Sequence, residues 1–188
     1  MIDTVVKLGG GLLAHAALFD RALAAIAAAA PGRRLLIVPG GGVFADTVRG
    51  VDRDLHLSDD AAHWMAVLAM DQYAHLVASR LAGGVIVEDL SQIDAAVSRA
   101  TVNVPVLAPF RWLRKTDPLP HSWTVTSDSI AAWVTGQVGA RRLVLVKPPH
   151  ARGDALVDSY FQRALPAHVT SRIVAADQME ALDEALRG

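Results

Sequence analysis

Short runs of Val, Ile and Leu recur along this chain between longer alanine-rich segments, and no other feature restricts the fold as much. That alternation is the βαβ rhythm of a mostly parallel sheet covered by helices on its faces, and it predicts an α/β protein. Strands are expected near Thr4–Leu8, Leu35–Pro39, Val85–Val87, Val104–Ala108, Leu143–Lys147 and Ser171–Val174. Helices are expected over Leu13–Ala30, Val43–Asp54, Ser58–Leu81, Gln92–Arg99, Asp128–Gly136, Val157–Ala164 and Gln178–Leu186. The sequence Ser58-Asp59-Asp60 supplies an N-cap hydroxyl and first-turn acids for the long third helix. Two stretches read as irregular on their Pro and Gly content, Arg111–Ser122 with Pro118 and Pro120, and Pro148–Asp154.

With 188 residues, positions 1–188 are expected to form one domain. Hydrophobic residues make up 52% and aromatic ones only 5%, so the interior must be built from small side chains. Each buried Ala contributes little burial energy. This composition, with a mean hydropathy of +0.31, points to a homo-oligomer in which some apolar surface meets a second subunit. Net charge is −1 and the basic residues are scattered, which argues against nucleic acid or an anionic membrane as partner. The longest strictly apolar stretch, Ala22–Ala30, stops at Pro31-Gly32, well short of the roughly 20 residues that cross a bilayer. No basic leader precedes the first strand pattern, so a cytoplasmic location is expected. The absence of cysteine excludes disulfides, Cys zinc sites and thiol catalysis together.

Two glycine clusters stand between an expected strand and the following helix: Lys7-Leu8-Gly9-Gly10-Gly11 and Val38-Pro39-Gly40-Gly41-Gly42. Carboxyl ends of parallel strands form the ligand crevice of such sheets. Glycines there let backbone N–H groups approach an anion, and the helix N-terminus adds favourable partial charge. The pair points to two phosphate-bearing ligands, or to one ligand with several phosphates; each taken alone is also what a tight turn requires. Both clusters formally match G-x-G-x-x-A, through Gly9, Gly11 and Ala14 and through Gly40, Gly42 and Ala45. The second strand nevertheless ends in Val38-Pro39-Gly40, where a dinucleotide site carries an acid. The Walker A pattern does not occur.

Lys7, in an otherwise apolar strand just before a glycine turn, brings an ammonium to the strand's open end. Positive charge is what phosphoryl transfer chiefly needs, although a strand-end lysine can also simply reach solvent. In Thr126-Ser127-Asp128-Ser129, Ser127 or Asp128 is either an N-cap or, for Asp128, an acid that orients lysine ammonium groups or a magnesium-bound water. His63 and Asp71 lie two turns apart on the long helix, about 80° around it, and share roughly one face. Asp71 there would meet a substrate cation, or both residues would form a solvated face. The other histidines show no metal-ligand spacing, and no metal-binding residues are assigned.

Taken in order, Val6-Lys7-Leu8-Gly9-Gly10, Pro39-Gly40-Gly41-Gly42 and Thr126-Ser127-Asp128-Ser129 before Ala131-Ala132 resemble the amino acid kinase superfamily, over roughly residues 4–147. That superfamily includes acetylglutamate, aspartate, uridylate and isopentenyl phosphate kinases. The resemblance implies a three-layer αβα sandwich using ATP and Mg2+ to phosphorylate a carboxylate, a phosphate or a related acceptor. Within it the chain is most similar to the short kinases of methanofuran biosynthesis, which convert an aminomethyl-furanyl-methyl phosphate to its diphosphate. The shared features are Pro39-Gly-Gly-Gly42-Val-Phe-Ala-Asp46, Leu57-Ser58 through His63 to Met70-Asp71, and His121-Ser122-Trp123 ahead of Thr126-Ser127-Asp128.

Carried over by position, the resemblance gives Lys7 the neutralisation of the transferring phosphoryl group and Gly9, Gly10 and Gly11 the ATP phosphates, with Ser127 beside them. Gly40, Gly41 and Gly42 hold the acceptor's phosphate, and Asp128 organises the site. His121 and Trp123 match no general superfamily role and are assigned to the acceptor pocket, the indole stacking on a furan-sized ring, and His63 and Asp71 are placed there by their shared helix face. Two departures matter. Gly11 stands where relatives carry Ser, and the segment after Val146 lacks the usual acidic turn and late second lysine, so the C-terminal nucleotide-binding part is expected to be abbreviated. Lys147 either replaces that lysine or is a surface residue, and Arg152 and Asp154 are weaker candidates. A catalytically silent phosphate-ligand-binding or assembly protein of the same fold is the alternative, as is a kinase for another phosphate monoester.

Overall fold

A computed structural model describes residues 1–97, 103–149 and 156–187. Its centre is a six-stranded sheet made of β1 (Thr4–Leu8), β2 (Leu35–Pro39), β3 (Gly84–Val87), β4 (Val104–Leu107), β5 (Arg142–Lys147) and β6 (Thr170–Ala175). The strand order is β3-β4-β2-β1-β5-β6, and every pairing is parallel. Each expected strand is present, with ends that move by a residue.

Helices cover both faces: α1 (Ala16–Ala29), α2 (Gly42–Leu55), α3 (Asp59–Arg80), α4 (Leu90–Val97), α5 (Phe110–Thr116), α6 (Ser127–Gln137), α7 (Phe161–Ala164) and α8 (Met179–Arg187). The result is the α/β sandwich expected from the strand-helix rhythm. Alternation along the strands divides the interior into two cores. Val5, Leu36, Val38, Leu143 and Leu145 face the layer of α4, α5, α6 and α7. Val6, Leu8, Leu35, Ile37, Val144 and Val146 face α1 and α8. Each fully buried Val, Leu or Ile stabilises the fold by about 1.5–3 kcal/mol relative to exposure, so both faces of β1, β2 and β5 are committed. Long α3 serves both cores, placing Trp64, Val67 and Met70 in the first and Tyr73, Ala74 and Val77 in the second.

Several local expectations are corrected. The helix expected from Leu13 is broken: Gly10–Ala14 forms a short 3-10 helix, and His15 at φ −130° and ψ 65° separates it from α1. The Arg111–Ser122 stretch is not wholly irregular, because α5 occupies its first half and ends at Asp117 in the left-handed region, φ 42°. Pro118 then prevents continuation; it marks the end of a helix, not a loop throughout. The helix expected over Val157–Ala164 shrinks to α7, since Asp158 is engaged elsewhere. The end of the Gln92–Arg99 helix and most of Pro148–Asp154 lie outside the described residues. Among the described residues no helix is long and apolar enough to cross a membrane.

Candidate active site

The switch in strand order at β1, flanked by β2 and β5, opens a crevice at the carboxyl ends of the strands. Lys7 pairs in register with Val38 and Leu145, so it shares the sheet face of Val5. Period-two alternation puts Lys147 on that same face, two residues after Leu145. This face is covered by α6, whose first turn carries Asp128. The three side chains meet: Lys7 Nζ is 2.8 Å from Asp128 Oδ1, and Lys147 Nζ donates to Asp128 Oδ2 at 2.7 Å. All three residues are buried.

Two ammonium groups flank one carboxylate, and the Asp158 carboxylate also acts on Lys147; none of Lys7, Asp128 and Lys147 lines the neighbouring cavity. Burial pushes the Asp128 carboxyl up, but Lys7 and Lys147 together outweigh it and hold it below the usual carboxylate range. Burial lowers the Lys147 ammonium below its ordinary value, repulsion from Lys7 adds to this, and Asp128 opposes both. Both Asp128 oxygens are thus engaged, Oδ1 by the Lys7 ammonium and Oδ2 by that of Lys147. Among the described residues no group of three or more His, Asp or Glu side chains forms a metal centre by itself.

Asp158 fixes the turn that presents Asp128. Its Oδ2 accepts from Thr126 N at 2.9 Å, Thr126 Oγ1 at 2.7 Å and Ser129 N at 3.1 Å, while Oδ1 accepts from Ser129 Oγ and from Tyr160 N at 3.1 Å. Thr126 itself caps α6 by accepting from Asp128 N at 3.3 Å, so the N-cap is neither Ser127 nor Asp128, which stand inside the first turn. A second acid thus sits on the orphan donors of the α6 N-terminus. Nothing in the local sequence around Asp158 signals this role.

The two glycine loops touch. A Cβ on Gly10 would lie 2.2 Å from Gly42 N, which leaves no room for any side chain, and Gly42 adopts φ +56°. Gly40 donates its N–H to Leu8 O at 2.8 Å, and a Cβ there would come within 3.3 Å of Ser127 Oγ. Gly9 donates to Val146 O at 2.8 Å, while a Cβ on Gly11 would strike the Pro148 ring at 2.7 Å. The first loop is thereby wedged between the second loop and the end of β5.

Beside these loops opens a cavity of about 200 Å³, walled by Gly10, Gly11, Gly41, Gly42 and Ser127 at one end and by Asp46, Arg49, Asp59, His63 and Trp123 toward the other. Trp123 belongs to the strap between α5 and α6. Its Nε1 donates to Asp52 Oδ2 on α2 at 2.7 Å. His63 lines the cavity and is stacked on His121 at 4.1 Å between ring centroids. Burial, with the neighbouring His121 adding to it, lowers the His63 imidazole to about 4.

His121 stands behind His63, its ring nitrogens 2.9 Å from Asp60 Oδ1 and 2.8 Å from Asp117 Oδ1, and it does not line the cavity. Asp71 does not line it either: its Oδ1 accepts from Phe110 N at 3.0 Å at the start of α5, and burial raises its carboxyl to about 6. The face that helical spacing assigns jointly to His63 and Asp71 is split, because α5, absent from the sequence reading, packs over the Asp71 end. Among the described residues, the carboxylates that do reach the cavity are Asp46 and Asp59. Asp46 closes the glycine motif quoted above, and that was its only signal.

A profile of the amino acid kinase family matches residues 4–148, a span holding both glycine loops, Lys7, Asp128 and Lys147. The chain belongs to the amino acid kinase family. It is 30% identical over 141 residues to the (5-(aminomethyl)furan-3-yl)methyl phosphate kinase of Methanocaldococcus jannaschii, an alignment covering 75% of this chain and 63% of that relative. The chain thus spans less than two thirds of that relative's length. Among solved structures it is similar to uridylate kinase from Archaeoglobus fulgidus, with a TM-score of 0.70 at 16% identity over 100% of this chain and 96% of the other. The UMP kinase of Ureaplasma parvum matches with a TM-score of 0.64 at 12% identity, over 94% and 90%. These likenesses establish the amino acid kinase fold.

Proposed function

We propose that this member of the family is a kinase that takes magnesium–ATP as phosphoryl donor and a small phosphate monoester as acceptor, with (5-(aminomethyl)furan-3-yl)methyl phosphate as the first candidate. The observation that carries the reading is the buried Lys7–Asp128–Lys147 cluster beneath two touching glycine loops. Gly41 and Gly42, at the start of α2, offer N–H groups to the acceptor's phosphate, and Gly10 and Gly11 with Ser127 serve the donor phosphates, while the N–H groups of Gly9 and Gly40 are already given to Val146 O and Leu8 O. Lys7 and Lys147 stabilise charge on the transferring phosphoryl group, and Asp128 keeps both ammonium groups in place. An acceptor phosphate oxygen attacks the γ-phosphorus, the bond to the ADP oxygen breaks, and the products are ADP and a diphosphate ester. The acceptor is already an anion, so no side chain has to remove a proton.

The relative's acceptor carries an aromatic ring, and the Trp123 indole on the cavity wall offers a stacking partner for it. The test is a coupled assay of ADP release, with product mass, for this acceptor against isopentenyl phosphate, UMP and other monoesters. Turnover confined to the furan phosphate is the expected result. Turnover on a different monoester transfers the assignment to that acceptor. Binding of an acceptor without any ADP release, in the presence of magnesium–ATP, would instead favour the silent binding protein.

A further inference from the structure

The cavity wall contains a cation held in a specific way. Arg49 donates from Nη1 to Asp46 Oδ1 at 2.7 Å, and its guanidinium carbon lies 4.8 Å from the centre of the Trp123 ring. The indole is polarised in turn, because Nε1 donates to the Asp52 carboxylate at 2.7 Å and pushes electron density into the ring. Asp46, Arg49 and Asp52 recur at three-residue intervals on α2; Arg49 and Asp52 touch the Trp123 indole, and Asp46 is joined to it through Arg49. A carboxylate beside an aromatic face is the chemistry that binds organic ammonium ions.

Resting on the acceptor reading of this cavity, we propose that Asp46 and the face of Trp123 form a site for a primary ammonium group on the acceptor, and that Arg49 is the intramolecular competitor for it. Distance supports the pairing of this site with the glycine loop. Asp46 is four residues beyond Gly42, about 6 Å along the helix axis, so one small molecule can set its phosphate on Gly41 and Gly42 and its ammonium on Asp46. The other cavity carboxylate, Asp59, opens the first turn of α3, whereas the cation–π pair on the cavity wall, Arg49 on Trp123, is joined to Asp46. Asp71 is turned to the backbone of α5. The ligand class is therefore an amine-bearing phosphate monoester, and Asp46 sets the preference for the amine.

The test is isothermal titration of the full chain with (5-(aminomethyl)furan-3-yl)methyl phosphate and with the analogue carrying hydroxymethyl in place of aminomethyl. The wild type should bind the amine about tenfold tighter, a preference that remains after the ligand's ammonium has displaced Arg49 from Asp46 and Trp123. In Asp46→Asn the preference should fall below about threefold, whereas in Arg49→Ala, with the competitor gone, it should rise. Thermal melts of both variants accompany the titrations; each changed side chain is largely exposed on α2. Equal binding of the two ligands by the wild type, or a tenfold preference that survives Asp46→Asn, overturns the inference alone. Loss of the preference in Arg49→Ala also overturns it, because Arg49 would then be a binder of the ligand and not its rival. Failure of the wild type to bind either monoester overturns the acceptor reading and this inference together.

Discussion

Lys147 and Asp128 are joined by a buried 2.7 Å hydrogen bond across 19 residues of chain, from the last residue of β5 to the first turn of α6. Together with Lys7 this makes Asp128 a bridge between two strand ends. Lys147→Ala and Lys7→Ala should each lower turnover by about 100-fold or more, the usual consequence of removing one stabilising donor for developing charge, with a smaller effect on acceptor KM. Steady-state kinetics with magnesium–ATP decide this. Near-wild-type kcat in Lys147→Ala would remove that residue from the phosphoryl-transfer machinery.

Asp128 also has a structural consequence. Asp128→Ala leaves two buried ammonium groups facing each other, and stability should drop by about 3–5 kcal/mol. Urea denaturation at neutral pH measures it. Because the folded carboxyl titrates below its usual value of 3.8, its stabilisation is present above that pH and is lost as pH falls through the still lower folded value. Acid unfolding of the wild type should therefore steepen below about pH 4, and this added slope should be missing in Asp128→Asn.

His63 and Asp71 work against each other between about pH 4 and pH 6. His63 titrates at about 4 when folded and near 6.5 when unfolded, so its contribution is present above 6.5 and lost as pH falls. Asp71 titrates at about 6 when folded and near 3.8 when unfolded, so its contribution is present below 3.8 and lost as pH rises. The wild type should show a shallow profile across this window. His63→Gln should become less stable with rising pH, and Asp71→Asn more stable with rising pH; denaturant midpoints at pH 4, 5 and 6 test both signs.

Sequence periodicity conveyed the sheet well, because β1, β2 and β5 are buried on both faces and their Val, Ile and Leu runs have no other use. Lys7 and Asp128 were also legible, as polar residues at strand and helix ends with glycine turns alongside. Three features were not. Phe110–Thr116 forms a helix whose amphipathic signal is too short to stand out beside Pro118 and Pro120. Asp71 lies on the same helix as His63, but α5 claims it for a backbone N–H, a tertiary event with no local trace. Asp158 acts through residues about thirty positions earlier in the chain, and a hydrogen-bond hub of that kind has no periodicity to read.

Removing that hub gives a further prediction. Asp158→Ala strips acceptors from Thr126 and Ser129, and hydrogen bonds to a charged group are each worth about 1.5–3 kcal/mol. A lowered melting temperature is expected, along with a fall in kcat larger than any change in acceptor KM, since it is the Asp128 turn that loosens. Asp158→Asn keeps the shape and part of the acceptor set. It should recover most of the stability and a measurable share of kcat.

Contact between the two glycine loops predicts an asymmetry among glycines. Gly10→Ala forces a Cβ to within 2.2 Å of the Gly42 backbone and should cost about 1–3 kcal/mol as well as weakening acceptor binding. Gly32→Ala, at φ +76° with nothing within 4 Å, should cost only about 1 kcal/mol. Chemical denaturation of both variants, with acceptor titration of each, separates a packing defect at the site from plain backbone strain.

Helix α3 runs from the exposed Asp59 past Ala62, His63, Ala66 and Met70 to Tyr73, whose hydroxyl lies 3.5 Å from the Gly9 carbonyl oxygen. Its turns are therefore the graduations of a ruler laid along the cavity, with zero at the glycine loops and one mark about every 5.4 Å. In the proposed kinase, acceptor length would be read off against a rod that both cores hold in place. Enlarging Ala66 shortens the scale by a turn, and enlarging Ala62 trims it nearer the outer end, so chain length in the acceptor is adjustable one mark at a time without disturbing the lysines beneath.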